Sequence, residues 1–193
     1  MKPDGCLFDS VWRKSCTVEK ISRIEAGEMI KSHYLKKWPG VTVLVLGLKR
    51  DGELLGVIVY ALPPRETSKR YCGHTWELAR LWLKDAVPKN AETFFIAKSV
   101  KWIKSFNKNV DVLVSYADPS AGHSGTIYRA SNWLSDGRTD QERKTARFDY
   151  ADSATGKKYS RRGHVPESVS IVKIPRVSKF RFFIRLKKTR TAA

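Results

Sequence analysis

One short segment of the sequence concentrates side chains that can transfer protons and bind polar substrates. Within eleven positions it carries a carboxylate, an imidazole, two hydroxyls and a phenol, contributed by Asp118, His123, Ser124, Thr126 and Tyr128. The apolar run 110–114 before it predicts a buried strand, and a short helix is predicted to begin near Ser124. A strand, a polar turn and a helix present reactive groups at the carboxyl end of a sheet in α/β proteins. The alternative is a structural loop with an Asx-type turn at Asp118-Pro119, because turns favour the same residue types.

The predicted strand 75–83 carries two further charged residues that could belong to the site. It is mostly apolar on both faces and is therefore expected at the centre of the sheet. Simple alternation puts Glu77 on one face and Arg80 on the other. Buried charges are costly unless they are paired. Either these two residues form ion pairs with each other or with neighbours, or at least one of them faces the site.

Two further candidates end a predicted helix. Residues 24–35 have helical periodicity, with Ile24 among the apolar contacts, and the helix is expected to stop before the breaker Trp38-Pro39-Gly40. His33 and Tyr34 lie at its end. His33 could take part in the chemistry, or it could merely cap the helix.

The remaining predicted elements form the frame of the domain. They are a hairpin turning at Asp51-Gly52, a long amphipathic helix, a second hairpin and two strands, at 41–60, 91–106, 148–159, 169–174 and 180–186. This mixture of helices and strands predicts a fold of the α/β (α+β) class.

Composition limits the choice of partners. The chain has 193 residues, 41% of them hydrophobic, which is enough for one sizeable core. Its net charge of +18 favours a polyanionic partner, most often nucleic acid. Three cysteines without metal-type spacing indicate a reducing compartment. No apolar run approaches the roughly 18 residues of a membrane span. These features predict a cytoplasmic protein without a membrane partner.

The positive charge is concentrated at the C-terminal end, where residues 138–193 hold sixteen Lys and Arg against five Asp and Glu. Aromatic side chains alternate with arginines in 180–186, a pattern that can hold phosphates and stack on bases. The predicted DNA-binding residues are Arg181, Arg185, Lys187, Lys188 and Arg190. The alternative is an amphipathic edge strand protected by its charges. We therefore divide the chain into a catalytic core, 1–137, and a basic, β-rich extension, 138–193, that completes the sheet and contacts DNA within one compact domain.

The order of the predicted elements resembles the core of the GNAT-type acyltransferases. The segment Ile127-Tyr128-Arg129-Ala130-Ser131-Asn132-Trp133 looks like the element that follows the splayed strand in that fold, where the tyrosine matching Tyr128 often serves as general acid. The resemblance implies a GNAT-like mixed, mostly antiparallel central sheet flanked by helices. One feature departs from it: the loop 88–93 lacks the glycines of the cradle that holds the pyrophosphate of acyl-CoA. Acyl-CoA is therefore a possible cofactor, but the resemblance does not imply that the protein binds it.

A narrower family matches several short motifs in the same order. They are His33-Tyr34, Lys37-Trp38-Pro39-Gly40, Glu77-Leu78-x-Arg80-Leu81-Trp82, Ser115-Tyr116-Ala117-Asp118-Pro119, Gly122-His123, Gly125-Thr126-Ile127-Tyr128 and Asn132-Trp133. Over roughly residues 30–135 the chain resembles the phage Mom-type DNA modification proteins. This resemblance implies an enzyme that adds a carbamoylmethyl group to the exocyclic amine of adenine in double-stranded DNA and so shields phage DNA from restriction. Such an enzyme would act in the cytoplasm of the host cell.

The implied chemistry assigns roles to the residues. Asp118 or Glu77 would accept a proton or hydrogen-bond the amine, and Tyr128 would protonate the leaving group. The flipped base would lie near Asp118, Tyr116 and Tyr128, with Trp38 or Tyr34 stacked on it. The catalytic candidates are Asp118, Tyr128, His33, Tyr34, Glu77 and His123. The substrate-binding candidates are Trp38, Arg80, Ser115, Tyr116, Ser124, Thr126 and Asn132.

A metal ion is a further option for this site. Imidazole and carboxylate groups suit Fe(II), and His33, Tyr34 and Asp118, with Glu77, could supply the ligands. Nothing in their spacing requires a metal, so this is a hypothesis about side chains that are distant in sequence.

Three classes of function remain open. The chain could be a DNA-modifying transferase, a GNAT-type N-acyltransferase acting on a protein, polyamine or RNA amine, or a non-enzymatic DNA-binding protein. The third class does not explain why Asp118, His123 and Tyr128 are crowded at the end of one strand. The first class accounts for both the charge and the site, and the sequence favours it. The oligomeric state, including a homodimer, is left open.

Overall fold

The computed structural model describes residues 10–159 and 164–187. The helices are α1 Ser10–Ser15, α2 Gly27–Ser32, α3 Arg65–Arg70, α4 Ala91–Phe106 and α5 Thr126–Ala130, and a 3₁₀ turn spans Pro119–Ala121. The strands are β1 Cys16–Lys20, β2 Thr42–Arg50, β3 Glu53–Ala61, β4 Thr75–Leu83, β5 Val112–Ala117, β6 Leu134–Arg138, β7 Phe148–Asp152, β8 Lys158–Tyr159, β9 Ile171–Pro175 and β10 Phe180–Arg185. No helix in these ranges is both long and apolar enough to cross a membrane.

Seven strands form one sheet in the order β1-β2-β3-β4-β5-β10-β6. Of its pairings, that between β4 and β5 is parallel and the others are antiparallel. Alternate residues of β2 point to opposite faces: Leu46 joins the cluster that contains α4, and Val45 joins the one that contains α2. Helices thus cover both faces, and the predicted mixed, mostly antiparallel sheet is confirmed.

The first hairpin forms as its turn residues predict. β2 and β3 pair as far as Arg50 and Glu53, and the two residues between them, Asp51 and Gly52, have φ angles of 50° and 80°. Two positive φ angles define a turn whose twist matches that of the strands it joins. The hairpin brings β3 beside β4, which carries part of the site.

The prediction of a helix over residues 24–35 is wrong about where the helix begins. The helix covers Gly27–Ser32, and a turn precedes it in which Ser22 accepts backbone hydrogen bonds from Glu25 and Ala26. A serine side chain that bonds to the backbone competes with helix formation. As a result Ile24 is 93% exposed rather than an apolar contact.

The parallel strands β4 and β5 separate after three paired positions. The pairs run from Thr75 with Val112 to Glu77 with Val114, and beyond them the strands diverge. Ser115 donates a hydrogen bond of 2.8 Å to the carbonyl oxygen of Leu78 at the point of divergence. The gap between the diverging strands exposes side chains of both, and this gap is where the site lies.

Strand β10 lies inside the sheet, between β5 and β6 and antiparallel to both. Its central residue Phe182 is fully buried. The alternative of an edge strand is therefore wrong. The second predicted hairpin is confirmed by β7 and β8, which join β9 in a separate three-stranded sheet between β6 and β10 in the chain.

Candidate active site

A cleft of about 690 Å³ opens where β4 and β5 diverge. Its walls come from the end of α2, from β4, from the end of β5 and from the loop that leads into α5. Eight of the residues predicted from the sequence line it: His33, Tyr34, Arg80, Tyr116, His123, Ser124, Thr126 and Tyr128. The structure thus brings together motifs that are separated by nearly a hundred positions in the chain.

A β-bulge at Ala79 determines which charges share a face of β4. Tyr60 of β3 pairs with Leu78 and Val59 pairs with Arg80, so Ala79 is an extra residue in β4. One extra residue reverses the alternation of side chains beyond it. Glu77 and Arg80 consequently lie on the same face, and the prediction that they lie on opposite faces is wrong.

Glu77 is a mostly buried carboxylate in an unusual environment. It makes no hydrogen bond or ion pair with any residue of the ranges described. Burial raises the pKa of its carboxyl group above the ordinary value of 4.5, against the opposing charges of Arg80 and Lys179. Glu77 in turn acts electrostatically on the phenols of Tyr116 and Tyr128. A carboxylate of this kind is a stronger base than an exposed one.

Arg80 presents a guanidinium group to the cleft, bonded to main-chain oxygens. Its Nε donates to the carbonyl oxygen of Lys37 at 2.8 Å and its Nη1 to that of Ala79 at 2.6 Å. Burial lowers its pKa, while Tyr34 and Glu77 oppose that shift. Among the described residues no carboxylate lies within ion-pair distance of this side chain. Arg80 therefore has charge available for an anionic group bound in the cleft.

Three rings form a row beside Arg80. The ring centroids of His33 and Tyr34 are 4.5 Å apart, and those of Tyr34 and His123 are 5.2 Å apart. Burial, together with the charge of Arg80 and the proximity of His123, lowers the pKa of His33 to about 4, so the imidazole is neutral at pH 7. Its Nδ1 accepts the backbone N–H of Leu35 at 3.1 Å, which leaves the proton on Nε2. Burial raises the pKa of Tyr34, which therefore stays protonated.

Tyr128 lies at the base of the cleft with its hydroxyl group held by Ser115. The two oxygens are 2.7 Å apart. Since the single hydroxyl proton of Ser115 goes to the carbonyl oxygen of Leu78, the phenol donates to Ser115 Oγ. Burial raises the pKa of Tyr128 to about 12. The phenol is therefore a fixed, fully protonated group at neutral pH. Ser115 itself is buried and acts through Tyr128.

Tyr116 is held over the cleft from another direction. Its hydroxyl group lies 2.9 Å from the Thr67 hydroxyl of α3. Burial raises its pKa, against the hydrogen bond from Thr67. The short helix α3 thus orients one aromatic wall of the site.

Asp118 has a different environment from the one predicted for a proton acceptor. Its Oδ1 accepts hydrogen bonds from the amide and the hydroxyl of Ser120, at 3.0 and 2.6 Å. Its Oδ2 forms an ion pair of 2.9 Å with Lys179. Burial raises its pKa, but the bonds from Ser120 and Lys179 outweigh this effect and lower it. Both oxygens are occupied, and this arrangement includes the Asx-type turn considered as an alternative.

The loop after Asp118 depends on two glycines in the left-handed region. Gly122 and Gly125 have φ angles of 75° and 81°. A Cβ atom on Gly125 would lie 2.2 Å from the ring of Phe182, whereas one on Gly122 would meet no atom within 4 Å. The chain can therefore approach β10 at Gly125 because no side chain intervenes. The hydroxyls of Ser124 and Thr126, 2.9 Å apart, are held at the cleft by this approach.

We expect Gly125→Ala to lower the free energy of unfolding by about 3 kcal/mol, since it combines left-handed strain with overpacking against a buried ring. Gly122→Ala is the matched control, with the same backbone strain and no clash, and should cost about 1 kcal/mol. Urea denaturation followed by circular dichroism measures both. Equal losses in the two variants would contradict the packing role of Gly125.

Two predicted substrate contacts lie away from the cleft lining. Trp38 packs against the α2 side of the sheet, with the guanidinium of Arg23 4.7 Å from its ring. Asn132 is exposed and has a φ angle of 60°, which it adopts where α5 ends. Their roles in substrate binding stay predictions.

The arrangement does not support the predicted iron site. Within residues 10–159 and 164–187 no three His, Cys, Asp or Glu side chains are grouped so that they could hold a metal ion. Of the proposed ligands, Asp118 has both oxygens occupied, His33 uses Nδ1 for a backbone bond, and Tyr34 stays protonated.

The residues predicted to bind DNA are distributed unevenly. Arg181 is largely buried and forms a 2.8 Å ion pair with Asp136, and Lys187 forms a 2.7 Å ion pair with Asp111. Arg185 is exposed and lies 6.0 Å from the ring of Phe183. Lys188 and Arg190 lie outside the described residues.

Sequence reasoning missed the cluster around Asp136. This carboxylate accepts hydrogen bonds from Arg70, Tyr71 and Arg181. Burial opposes ionisation, but the bonds from Arg70 and Tyr71 and the charge of Arg181 lower its pKa to about 2. The cluster ties α3 to β6 and β10. No local pattern marks it, because its members come from three separate elements.

The loop before α4 differs from a pyrophosphate cradle in charge as well as in composition. It contains no glycine, and Asn90 adopts a φ angle of 70° there. An acidic residue, Asp85, lines the cleft on this side. Carboxylates repel a pyrophosphate group, so the departure seen in the sequence persists in the structure.

Comparisons with known proteins agree with this description. The Mom protein family model matches residues 15–193. The methylcarbamoylase Mom of Escherichia phage Mu is 35% identical over 130 residues, which are 62% of this chain and 53% of that protein. The chain therefore spans about half the length of the curated relative it matches.

Solved structures with the same fold are acetyltransferases. An IAA acetyltransferase from Bacillus cereus has a TM-score of 0.54 at 11% identity, over 89% of this chain and 99% of that one. A putative acetyltransferase from Salmonella typhimurium, solved with its cofactor acetyl-CoA, has a TM-score of 0.54 at 11% identity, over 92% and 97% of the two chains. At these identities the likeness concerns the fold alone, and it confirms the predicted GNAT-like fold.

Proposed function

Since the chain belongs to the Mom protein family, we propose that it is a transferase that adds a carbamoylmethyl group to the exocyclic amine of adenine in double-stranded DNA. The observation that carries this proposal is the pair Glu77 and Arg80, which share one face of β4. Arg80 lines the cleft and has no carboxylate within ion-pair distance among the described residues, and Glu77, just outside the lining, has no side-chain partner among them. Glu77 can accept a proton and Arg80 can hold an anion. A net charge of +18 suits a DNA substrate. Such an enzyme would modify phage DNA in the cytoplasm of the host and protect it from restriction.

The reaction sets requirements for the site. A bond forms between the exocyclic nitrogen and the methylene carbon of the donor, while the bond from that carbon to its leaving group breaks and the leaving group departs with the electron pair. The nitrogen loses one proton. Its lone pair is delocalised into the purine ring, so it is a weak nucleophile. The site must therefore orient the amine, accept its proton and supply one to the leaving group.

Glu77 is the better proton acceptor of the two carboxylates considered. Its oxygens have no partner in the described residues, and burial raises its pKa. The oxygens of Asp118 are taken by Ser120 and Lys179, and its pKa is lowered. A group whose lone pairs are occupied and whose anion is stabilised accepts a proton poorly. We therefore assign the base to Glu77 and a positioning role to Asp118.

Tyr128 suits the part of proton donor. Burial raises its pKa to about 12, which keeps the proton on the phenol until an anion develops beside it. Ser115 fixes the phenol oxygen at the base of the cleft, 2.7 Å away. The phenol oxygen is thus held in place, and its proton must turn from Ser115 Oγ to the leaving group.

The aromatic walls suit a flipped base. Adenine in a duplex cannot enter the cleft unless it leaves the stack, and enzymes that act on bases compensate the lost stacking with aromatic side chains. Tyr34, which is 47% exposed, and Tyr116 both line the cleft. The neutral Nε2–H of His33 and the hydroxyls of Ser124 and Thr126 can bond the ring nitrogens.

A second candidate function, N-acylation with acyl-CoA, is favoured by one observation, the fold shared with an acetyltransferase that carries acetyl-CoA. The absence of glycines in the loop before α4 and the carboxylate of Asp85 in the cleft lining oppose it. We therefore propose a donor that does not need a pyrophosphate cradle.

Mass spectrometry of nucleosides from plasmid DNA tests the proposal. Cells that express the protein should yield a deoxyadenosine heavier by the mass of a carbamoylmethyl group in place of one hydrogen, and cells without it should not. Unmodified deoxyadenosine, with folded protein present, would contradict the proposal. A modified deoxyadenosine of another mass would retain the DNA substrate and reject the carbamoylmethyl group.

A further inference from the structure

The described end of the chain and the cleft lie at opposite ends of β5. β10 runs antiparallel to β5, so that Phe180 pairs with Ala117 and Arg185 pairs with Val112. The cleft begins at the Ala117 end. Lys187, which follows β10, forms its ion pair with Asp111 at the other end, about 17 Å away along the strand. Of the residues predicted to bind DNA, Arg185 and Lys187 therefore lie at the far end, whereas Arg181, at the cleft end, forms an ion pair with Asp136.

A different basic segment leaves the sheet beside the cleft. We call it the β-arm: the described residues 139–159 and 164–179, which contain the sheet β8-β7-β9 and lie between β6 and β10 in the chain. It begins after Arg138, which pairs with Phe180, the residue that also pairs with Ala117 at the cleft. The β-arm therefore emerges at the cleft end of the sheet.

The base of the β-arm is fastened to the cleft loop. Thr139 and Lys179, its first and last residues, share two hydrogen bonds, from Thr139 N to Lys179 O and from Lys179 N to Thr139 Oγ1, each 2.9 Å. Lys179 also holds Asp118, the residue that opens the loop along the cleft. The position of the β-arm is thus linked to that of the cleft loop that begins at Asp118.

One face of the β-arm combines aromatic rings with lysines. Tyr150 pairs with Tyr159 on one side and with Lys173 on the other, so these side chains form a row across the three strands. Phe148 lies on the same face, two residues before Tyr150, and is 44% exposed. The amino group of Lys157 lies 5.4 Å from the centroid of the Tyr159 ring. We call this set of side chains the aromatic–basic face.

The lysines of this face have no carboxylate partner among the described residues. Lys157 and Lys173 are exposed, and neither has an ion pair with any residue in the described ranges. On the other face Asp149 forms ion pairs with both Lys158 and Arg176, one carboxylate for two cations. The two faces of the β-arm therefore differ in whether their cations are paired with a carboxylate among the described residues.

We propose that the aromatic–basic face of the β-arm binds the DNA beside the target adenine. This inference rests on the proposed function. Lysines without carboxylate partners neutralise phosphates, and exposed aromatic rings stack on sugars and unpaired bases, which a flipped nucleotide leaves next to it. The β-arm is attached at the cleft end, so a strand bound to it passes the site.

Binding of a fluorescent duplex oligonucleotide, measured by anisotropy over a range of salt concentrations, tests the assignment. The variant K157Q/K173Q should bind about tenfold more weakly, and the slope of log K against log salt should fall by about 1.8, since each lost phosphate contact contributes about 0.9. The matched control K101Q/K104Q removes two exposed lysines from α4 and should bind like the unaltered protein. Thermal unfolding checks that both variants are folded.

The alternatives give distinct results. Equal weakening in both double variants, or in neither, would overturn the β-arm assignment. A protein that ends at Lys187 should bind nearly normally; if this truncation alone abolished binding, the grip would belong to residues 188–193. If the unaltered protein modifies adenine while K157Q/K173Q binds normally, the β-arm inference fails and the proposed function stands. If the unaltered protein neither binds nor modifies DNA, both fail.

Discussion

Replacing Glu77 by Gln should reduce adenine modification at least a hundredfold and make the protein more stable at neutral pH. General base catalysis is worth about 10²–10⁴-fold, and glutamine keeps the shape of the side chain without accepting the proton. At pH 7 the folded protein holds a mostly buried carboxylate without a partner. Its removal should raise the free energy of unfolding by about 1–2 kcal/mol. A gain of stability with loss of activity is typical of a functional group rather than a structural one.

The pH dependence of this effect follows from the raised pKa of Glu77. The folded protein binds the proton more tightly than the unfolded chain, so stability decreases as pH rises from the ordinary value of 4.5 through the folded pKa. The advantage of E77Q should therefore be present at pH 7 and vanish below about pH 4. The acid limb of the modification rate should lie above pH 4.5 and be absent from the residual activity of E77Q.

Glu53→Gln is the matched control, because Glu53 pairs with Lys84 at an exposed position. It should change neither modification nor the pH dependence of stability. Nucleoside mass spectrometry and urea denaturation at several pH values measure both variants. If E77Q kept most of its activity, or lost stability at pH 7, Glu77 would not be the unpaired base that we assign.

Lys179→Met should reproduce most of the loss of modification caused by Asp118→Asn. In the structure Asp118 forms an ion pair with Lys179, which joins the cleft loop to the β-arm, and we propose that Asp118 acts through this pair. Each variant removes one partner, and we expect each to reduce modification at least tenfold. The free energy of unfolding should fall by only about 1 kcal/mol, since Lys179 is partly exposed and solvent screens the pair.

A general base at Asp118 predicts a different pattern. D118N would then be inactive, K179M would remain active, and DNA binding would be unchanged in both. Lys187→Met is the control for K179M, because it removes the corresponding lysine from the ion pair with Asp111 at the far end of β5. It should leave the modification rate unchanged. Rates and DNA affinities of the three variants, measured together, distinguish positioning from catalysis.

Local patterns in the sequence determined a large part of the fold. The hairpin at Asp51-Gly52 forms because two residues that tolerate positive φ stand between β-branched runs. The helix α4 forms because its apolar residues recur at helical spacing, as residues 91–106 predict. The sequence also predicted the family and the GNAT-like fold, because the motifs that indicate them are short and contiguous. Each of these signals depends on residues that are close in sequence.

The orientation of side chains within the site could not be read in this way. A single inserted residue at Ala79 reverses the alternation of β4 and brings Glu77 and Arg80 to one face. Asp118 has the residue type and position of a base, yet its oxygens are occupied by Ser120 and by the distant Lys179. Whether a carboxylate is free or paired depends on which strands meet.

The sequence by itself therefore determined the residue types, the order of the elements, the family and the excess of positive charge. The tertiary structure alone decided which carboxylate is available, which cations are neutralised and which basic segment lies beside the cleft. The physical reason is that β10 enters the sheet between β5 and β6, antiparallel to both. That long-range pairing directs Lys187 away from the site, brings Lys179 to Asp118 and leaves the β-arm next to the reacting groups.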